Sequence, residues 1–102
     1  MSMESAEIFK LKGKVACVTG ASSGLGRQAA LLLSRNGVHV VGVARNKNLL
    51  ESWSLESGDN TAYLVCDLSK KEKIWEAANQ VSEIFGPPDI LINAAGVNTR
   101  EH

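Results

Sequence analysis

Apolar residues along the chain fall into short continuous runs, separated by stretches where they recur every three or four positions. The first run, KVACVTG (Lys14 to Gly20), has β-branched members and ends in glycine. That pattern predicts a strand buried on both faces, as in a parallel sheet. VHVVGVA (Val38 to Ala44), AYLVCDL (Ala62 to Leu68) and DILINAAG (Asp89 to Gly96) predict three more strands. Between the first two, Leu25, Ala29, Leu32 and Leu33 repeat at helical spacing, and Asn36–Gly37 supplies a left-handed stop. NKNLLESWSLES (Asn46 to Ser57) predicts a short helix, followed by a turn at Gly58, Asp59 and Asn60. Ser69 and Glu72 form the S-x-x-E pattern of a capping box. It predicts the start of a helix with an apolar stripe of Ile74, Ala77, Ala78, Val81, Ile84 and Phe85. Gly86, Pro87 and Pro88 end that helix, because proline cannot continue it.

Strict strand–helix alternation predicts an α/β fold with a parallel sheet and right-handed crossovers. If the chain moves outward from the first strand, the first two helices share one face. The fourth strand then returns to the other side of the first, giving the order 3-2-1-4. That reversal creates a switch point, and nucleotides bind there beyond the carboxyl ends of the strands.

TGASSGLG (Thr19 to Gly26) lies at this point, between the first strand and the first helix. Gly20 suits a sharp exit from the strand, Gly24 leaves room for a pyrophosphate, and Gly26 lets the helix pack close to the sheet. The helix start offers unpaired N–H groups and partial positive charge to an anion. Ser22 and Ser23 can add hydroxyl hydrogen bonds. The competing explanation is a tight turn whose glycines serve the backbone alone, but strand, loop and helix all fall where the phosphate mechanism needs them.

The second strand ends VARN, with Ala44 where an acid that binds a ribose 2′-hydroxyl is expected, and Arg45 next. Arginine grips a 2′-phosphate by paired hydrogen bonds, so NADP(H) is favoured, with NAD(H) still possible. A solvated loop charge is the alternative for Arg45. Asp67 ends the third run and suits the adenine amino group, or else caps a turn. Asn93, in NAAG (Asn93 to Gly96), either ties neighbouring strands together or touches the cofactor, or does both.

Bulk properties narrow the field further. The chain has 102 residues, enough for one domain with one modest core. Its 11 basic and 11 acidic side chains balance, so no net field draws it to nucleic acid or an anionic membrane. No apolar run reaches the roughly 18 residues of a membrane span, and the first ten residues are not a secretory signal. Cys17 and Cys66 are distant and fit reduced thiols in a cytoplasmic protein. His39 and His102 have no metal-spaced partners, so no metal site is expected.

Together, TGASSGLG, CDL (Cys66 to Leu68) and NAAG, in this order and spacing and with the lead-in FKLKGKVACVTG, resemble the short-chain dehydrogenase/reductase family of the classical type. The likeness runs from about Phe9 onward. It implies a Rossmann-like dinucleotide-binding domain over 1–102, with residues 1–8 a flexible lead. It also implies an oxidoreductase that moves hydride between nicotinamide and a small alcohol or carbonyl substrate. Gly20, Ser22, Ser23, Gly24, Leu25 and Gly26 would line the pyrophosphate and adenosine ribose. Arg45 and Asn46 would meet the 2′-phosphate, and Asp67 and Leu68 would flank adenine. Asn93, Ala94, Ala95 and Gly96 would lie along the ribose and the central sheet.

Family enzymes also use a serine and a Y-x-x-x-K pair, in which the lysine lowers the pKa of the tyrosine. The sole tyrosine here, Tyr63, has Asp67 four residues on, so no catalytic residue is assigned. The chain is therefore expected to be the cofactor half of such an enzyme, truncated after its fourth strand and inactive alone. Its fourth strand would be an apolar sheet edge that promotes self-association. A non-catalytic NADP-binding module, or a regulatory partner of a full-length relative, is the alternative.

Overall fold

The computed structural model describes residues 11–22, 24–67 and 69–94. Among them strands and helices alternate as β1 (Val15–Thr19), α1 (Gly24–Arg35), β2 (His39–Ala44), α2 (Lys47–Ser57), β3 (Thr61–Val65), α3 (Lys71–Phe85) and β4 (Ile90–Asn93). The strands are all parallel and stand in the order β3-β2-β1-β4. This is the Rossmann-like arrangement that the alternation predicts.

Alternate side chains of the central strands enter two cores. Ala16, Val18 and Val40 pack with Ala30, Leu33, Leu50 and Trp53 on the side of α1 and α2. Cys17, Val41 and Val43 pack with Val81 on the side of α3. Every residue of β1 is buried, which explains why its sequence shows no polar alternation. Trp53 and Leu50 are fully buried, and burying such side chains contributes roughly 1.5–3 kcal/mol each. Gly42 makes room for the indole: a Cβ there would lie 2.6 Å from the Trp53 ring.

Four expectations need correction. In α1 the buried residues are Gly26, Ala30, Leu33 and Ser34, so of the predicted stripe only Leu33 is buried. Leu25 and Leu32 are 63% and 56% exposed. The helix seats itself on the sheet through small residues, and Arg27 turns toward Glu56 of α2, which leaves those leucines on the opposite flank. In α3 the capping box does not form. Lys70 occupies the N-cap and gives no side-chain hydrogen bond. Ser69 instead donates to Asp67, and that bond draws the hydroxyl away from the helix. The third strand ends at Val65, short of Cys66 and Asp67, although the Cys66 N–H still reaches the Ala44 carbonyl at 2.9 Å. The α3 stripe is also narrower than predicted. Ala77 and Val81 are buried, Phe85 is half-buried, Ala78 and Ile84 face outward, and the Ile74 side chain lies outside the described ones.

Asp89 fixes the start of β4. Its carboxylate accepts from the Val15 N–H at 3.0 Å, and its own N–H donates to the Val15 carbonyl at 2.7 Å. Ile90 and Ile92 pack toward the α1 side. Leu91 faces the other side and is 69% exposed, because α3 lies over β2 and β3. Both cysteines are free, Cys17 buried and Cys66 half-buried. No helix among the described residues is long and apolar enough to cross a membrane.

Candidate functional site

The chain order reverses between β2–β1 and β1–β4, and the loop after β1 opens beyond the carboxyl ends of these strands. Gly20 leaves β1 with φ of +73°, a conformation open to glycine at little cost, and its N–H donates to the Val43 carbonyl at 2.7 Å. Gly24 starts α1 with φ of +61°. Gly26, one turn into the loop–helix junction, lies against the Gly20 carbonyl. A Cβ on Gly26 would come within 2.1 Å of that oxygen and 3.0 Å of the Ala94 side chain. Its packing role is the one its place in the loop predicts. Ala21 is buried and Ser22 half-buried, while Ser23 lies outside the described residues. The first turn of α1 carries no acidic residue, so none there offsets the partial positive charge of the helix start.

The neighbouring strand ends add polar groups. Arg45 follows β2, is exposed and makes no ion pair among the described residues. Asn46 caps α2, its Oδ1 accepting from the Leu49 N–H at 3.0 Å. Its amide nitrogen is the donor that a phosphate ligand could use. Asp67 follows β3. Its Oδ1 accepts from the Ser69 hydroxyl at 2.7 Å and from the Ser69 N–H at 3.1 Å. These bonds hold the carboxyl below the usual carboxylate range. Slight desolvation opposes them, and the charges of Arg45 and Lys70 reinforce them. The turn-cap explanation for Asp67 is therefore realised, and Oδ2 has no partner among the described residues. Leu68 lies outside them.

On the other side of β1, the Thr19 hydroxyl donates to Asn93 Oδ1 at 2.7 Å, and the Ala94 N–H reaches the Thr19 carbonyl at 3.1 Å. Asn93 thus ties β4 to β1 through its side chain as well as through its ladder position opposite Thr19. Ala94 is buried beneath the loop. Ala95 and Gly96 lie outside the described residues. Sequence reasoning missed Thr19 and Ser69. A hydroxyl residue directly before the loop glycine, and another two residues after an aspartate, were the available signals.

Tyr63 stands apart from this crevice. Its hydroxyl donates to Glu51 at 3.2 Å on the α2 side. Desolvation, that hydrogen bond and the Glu51 charge all raise its pKa, the opposite of what an acid/base tyrosine needs. A shallow cavity of about 320 Å³ lies between the end of β3 and α3, lined by residues that include Cys66, Asp67, Lys70 and Lys73. Of the candidate site residues among the described ones, its lining includes only Asp67.

Comparison with known proteins agrees with this geometry. Residues 14–102 match the family model described as short chain dehydrogenase. Over 92 residues the chain is 39% identical to a Haemophilus influenzae 3-oxoacyl-[acyl-carrier-protein] reductase, covering 90% of this chain and 38% of that protein. It is 42% identical over 89 residues to a farnesol dehydrogenase of Aedes aegypti, covering 83% of this chain and 36% of the relative. A Brucella melitensis 3-ketoacyl-(acyl-carrier-protein) reductase, solved with NADH, superposes with a TM-score of 0.75 at 38% identity, over 79% of this chain and 33% of the other. The chain thus spans less than two fifths of the length of these curated relatives. The strand order, the glycine loop and these matches together make the chain a member of the short-chain dehydrogenase/reductase family.

Proposed function

We propose that the chain binds NADP(H) and is the cofactor-holding part of an oxidoreductase that moves hydride between nicotinamide and an alcohol or carbonyl carbon. The observation that carries this is the close seat of Gly26 on Gly20 at the switch point, with Arg45 exposed and without an ion pair among the described residues at the end of the adjacent strand. The pyrophosphate would lie on the α1 N-terminus and the loop Gly20 to Gly26. The 2′-phosphate would meet Arg45 and the Asn46 amide nitrogen. Asp67 would face adenine, and Asn93 and Ala94 would support the ribose side.

Titration of wild type and Arg45→Ala with NADPH and NADH tests the assignment. Wild type should favour NADPH by about tenfold or more, the worth of a charge-assisted pair, and the variant should lose most of that preference. Equal preference in both proteins would sink it. The relatives' names span 3-oxoacyl-[acyl-carrier-protein] and farnesol, so the substrate class stays at alcohol or carbonyl.

The state of Tyr63 favours a second reading for these 102 residues taken alone, a dinucleotide-binding module without catalysis. NADPH oxidation by the purified chain with a panel of carbonyl compounds would overturn that reading. We also propose that the chain self-associates through its β4 side, where Leu91 is exposed. Leu91→Lys should then shift its elution in size exclusion toward the monomer, and a monomeric wild type would refute this. Two free thiols fit a reducing cytoplasm, which cell fractionation would check.

A further inference from the structure

We propose that Ser69 is a positioning residue for adenine, committing one oxygen of Asp67 to the turn so that the other is presented to the 6-amino group. The proposal rests on the dinucleotide reading above and extends it to a residue outside the glycine loop and the strand ends.

Two observations carry it. Asp67 Oδ1 receives both the hydroxyl and the backbone N–H of Ser69, at 2.7 and 3.1 Å. A half-buried aspartate at a strand end otherwise samples several rotamers, and two bonds on one oxygen restrict its carboxylate plane. The Cys66 N–H, bonded to the Ala44 carbonyl at 2.9 Å, anchors the backbone just before it beside the end of β2. The second observation is that α3 goes without a side-chain cap although Ser69 stands in a capping sequence. The hydroxyl is directed to the strand end instead of the helix, so the local sequence favours Asp67 over helix capping. An ionised carboxylate only accepts hydrogen bonds, and the nearby charges of Arg45 and Lys70 favour that form. Oδ2 therefore welcomes a 6-amino group and rejects a 6-oxo group, which also only accepts at that position.

The test compares NADPH with its 6-deamino analogue, in which hypoxanthine replaces adenine, by nicotinamide fluorescence on the 102-residue chain. Wild type should prefer NADPH about tenfold, the discrimination expected where a buried or charged partner is left unmatched. Ser69→Ala should reduce the ratio to about twofold, and Ser69→Thr, which keeps the hydroxyl, should restore it. Asp67→Asn, whose amide can donate to a 6-oxo group, should move the ratio toward the analogue. Ser69→Ala with an unchanged ratio overturns the proposal. So does an equal loss of affinity for both nucleotides, which marks a merely structural role. If no variant binds either nucleotide, wild type included, the dinucleotide reading falls and this proposal with it.

Discussion

Gly26→Ala sets two measurable effects against each other. In an open helix interior, alanine is favoured over glycine by about 1 kcal/mol. Gly26 is the third residue of α1 and has no positive φ, so at most this gain applies. Against it stands the contact with the loop. The new Cβ would sit 2.1 Å from the Gly20 oxygen and 2.7 Å from its carbonyl carbon. Both neighbours are backbone, and the carbonyl belongs to a residue already held by its N–H bond to Val43. Neither can rotate away as a flexible side chain would, so α1 must lift from the end of β1. Overpacking of this kind costs typically 1–3 kcal/mol, and a contact this short belongs at the upper end. The net expectation is a loss of about 1–2 kcal/mol, or roughly 4–15 °C in melting temperature for a domain of this size. The lift also moves the helix N-terminus away from the loop, so NADPH affinity should fall more than stability alone explains. Thermal melts by circular dichroism, with NADPH titration below the transition, measure both. A variant as stable as wild type, or more so, would mean that propensity prevails and that the close seat of Gly26 is not what holds the loop.

Other expectations follow from the strand ends. Asn46→Ala should cost about 1 kcal/mol of stability through loss of the α2 cap, whereas Asn46→Asp should keep the cap and the melting temperature. Asn46→Asp should nevertheless lose NADPH affinity relative to NADH, because it sets a carboxylate beside the 2′-phosphate; unchanged selectivity would remove Asn46 from the site. The lowered pKa of Asp67 stabilises the fold above its unfolded value, about 3.9, and this contribution is lost as pH falls through the folded value. Asp67→Asn should therefore be less stable than wild type near pH 6, with the gap closing as the pH drops below about 4. A gap constant across that range in denaturant melts would show that the charge of Asp67 contributes nothing.

Strand identity and sheet order were legible because β1 and β2 are buried on both faces. Continuous apolar runs are what such burial requires, and crossover handedness then fixes the order. The helix faces were less legible. Periodicity locates a helix, but which of two adjacent lines turns inward depends on what lies beneath it. Under α1 that is a glycine carbonyl and a small-residue surface, which select Gly26 and Ala30 over the larger Leu25 and Leu32. Leucine is the stronger apolar signal in a sequence, yet in α1 Leu25 and Leu32 mark a flank while Leu33 lies in the core line.

The site shows the same limit more sharply. Glycine positions could be read because each answers a backbone demand fixed by local geometry, as with Gly20 at φ of +73°. Hydrogen-bond choices among side chains could not. Ser69 had two legitimate partners, the N-terminal N–H groups of α3 and the carboxylate of Asp67, and both lie within a few residues. A capping hydroxyl accepts from the helix, whereas here it donates to an ionised oxygen, and charge-assisted bonds are roughly twice as strong as neutral ones. The Thr19 hydroxyl lies on the neutral Asn93 Oδ1 across β1 and β4, a pairing that needs the strand order before it can be seen at all. The polar groups at the strand ends are thus set by competition among nearby partners, and the strongest acceptor in reach decides which reading of a short motif the fold adopts.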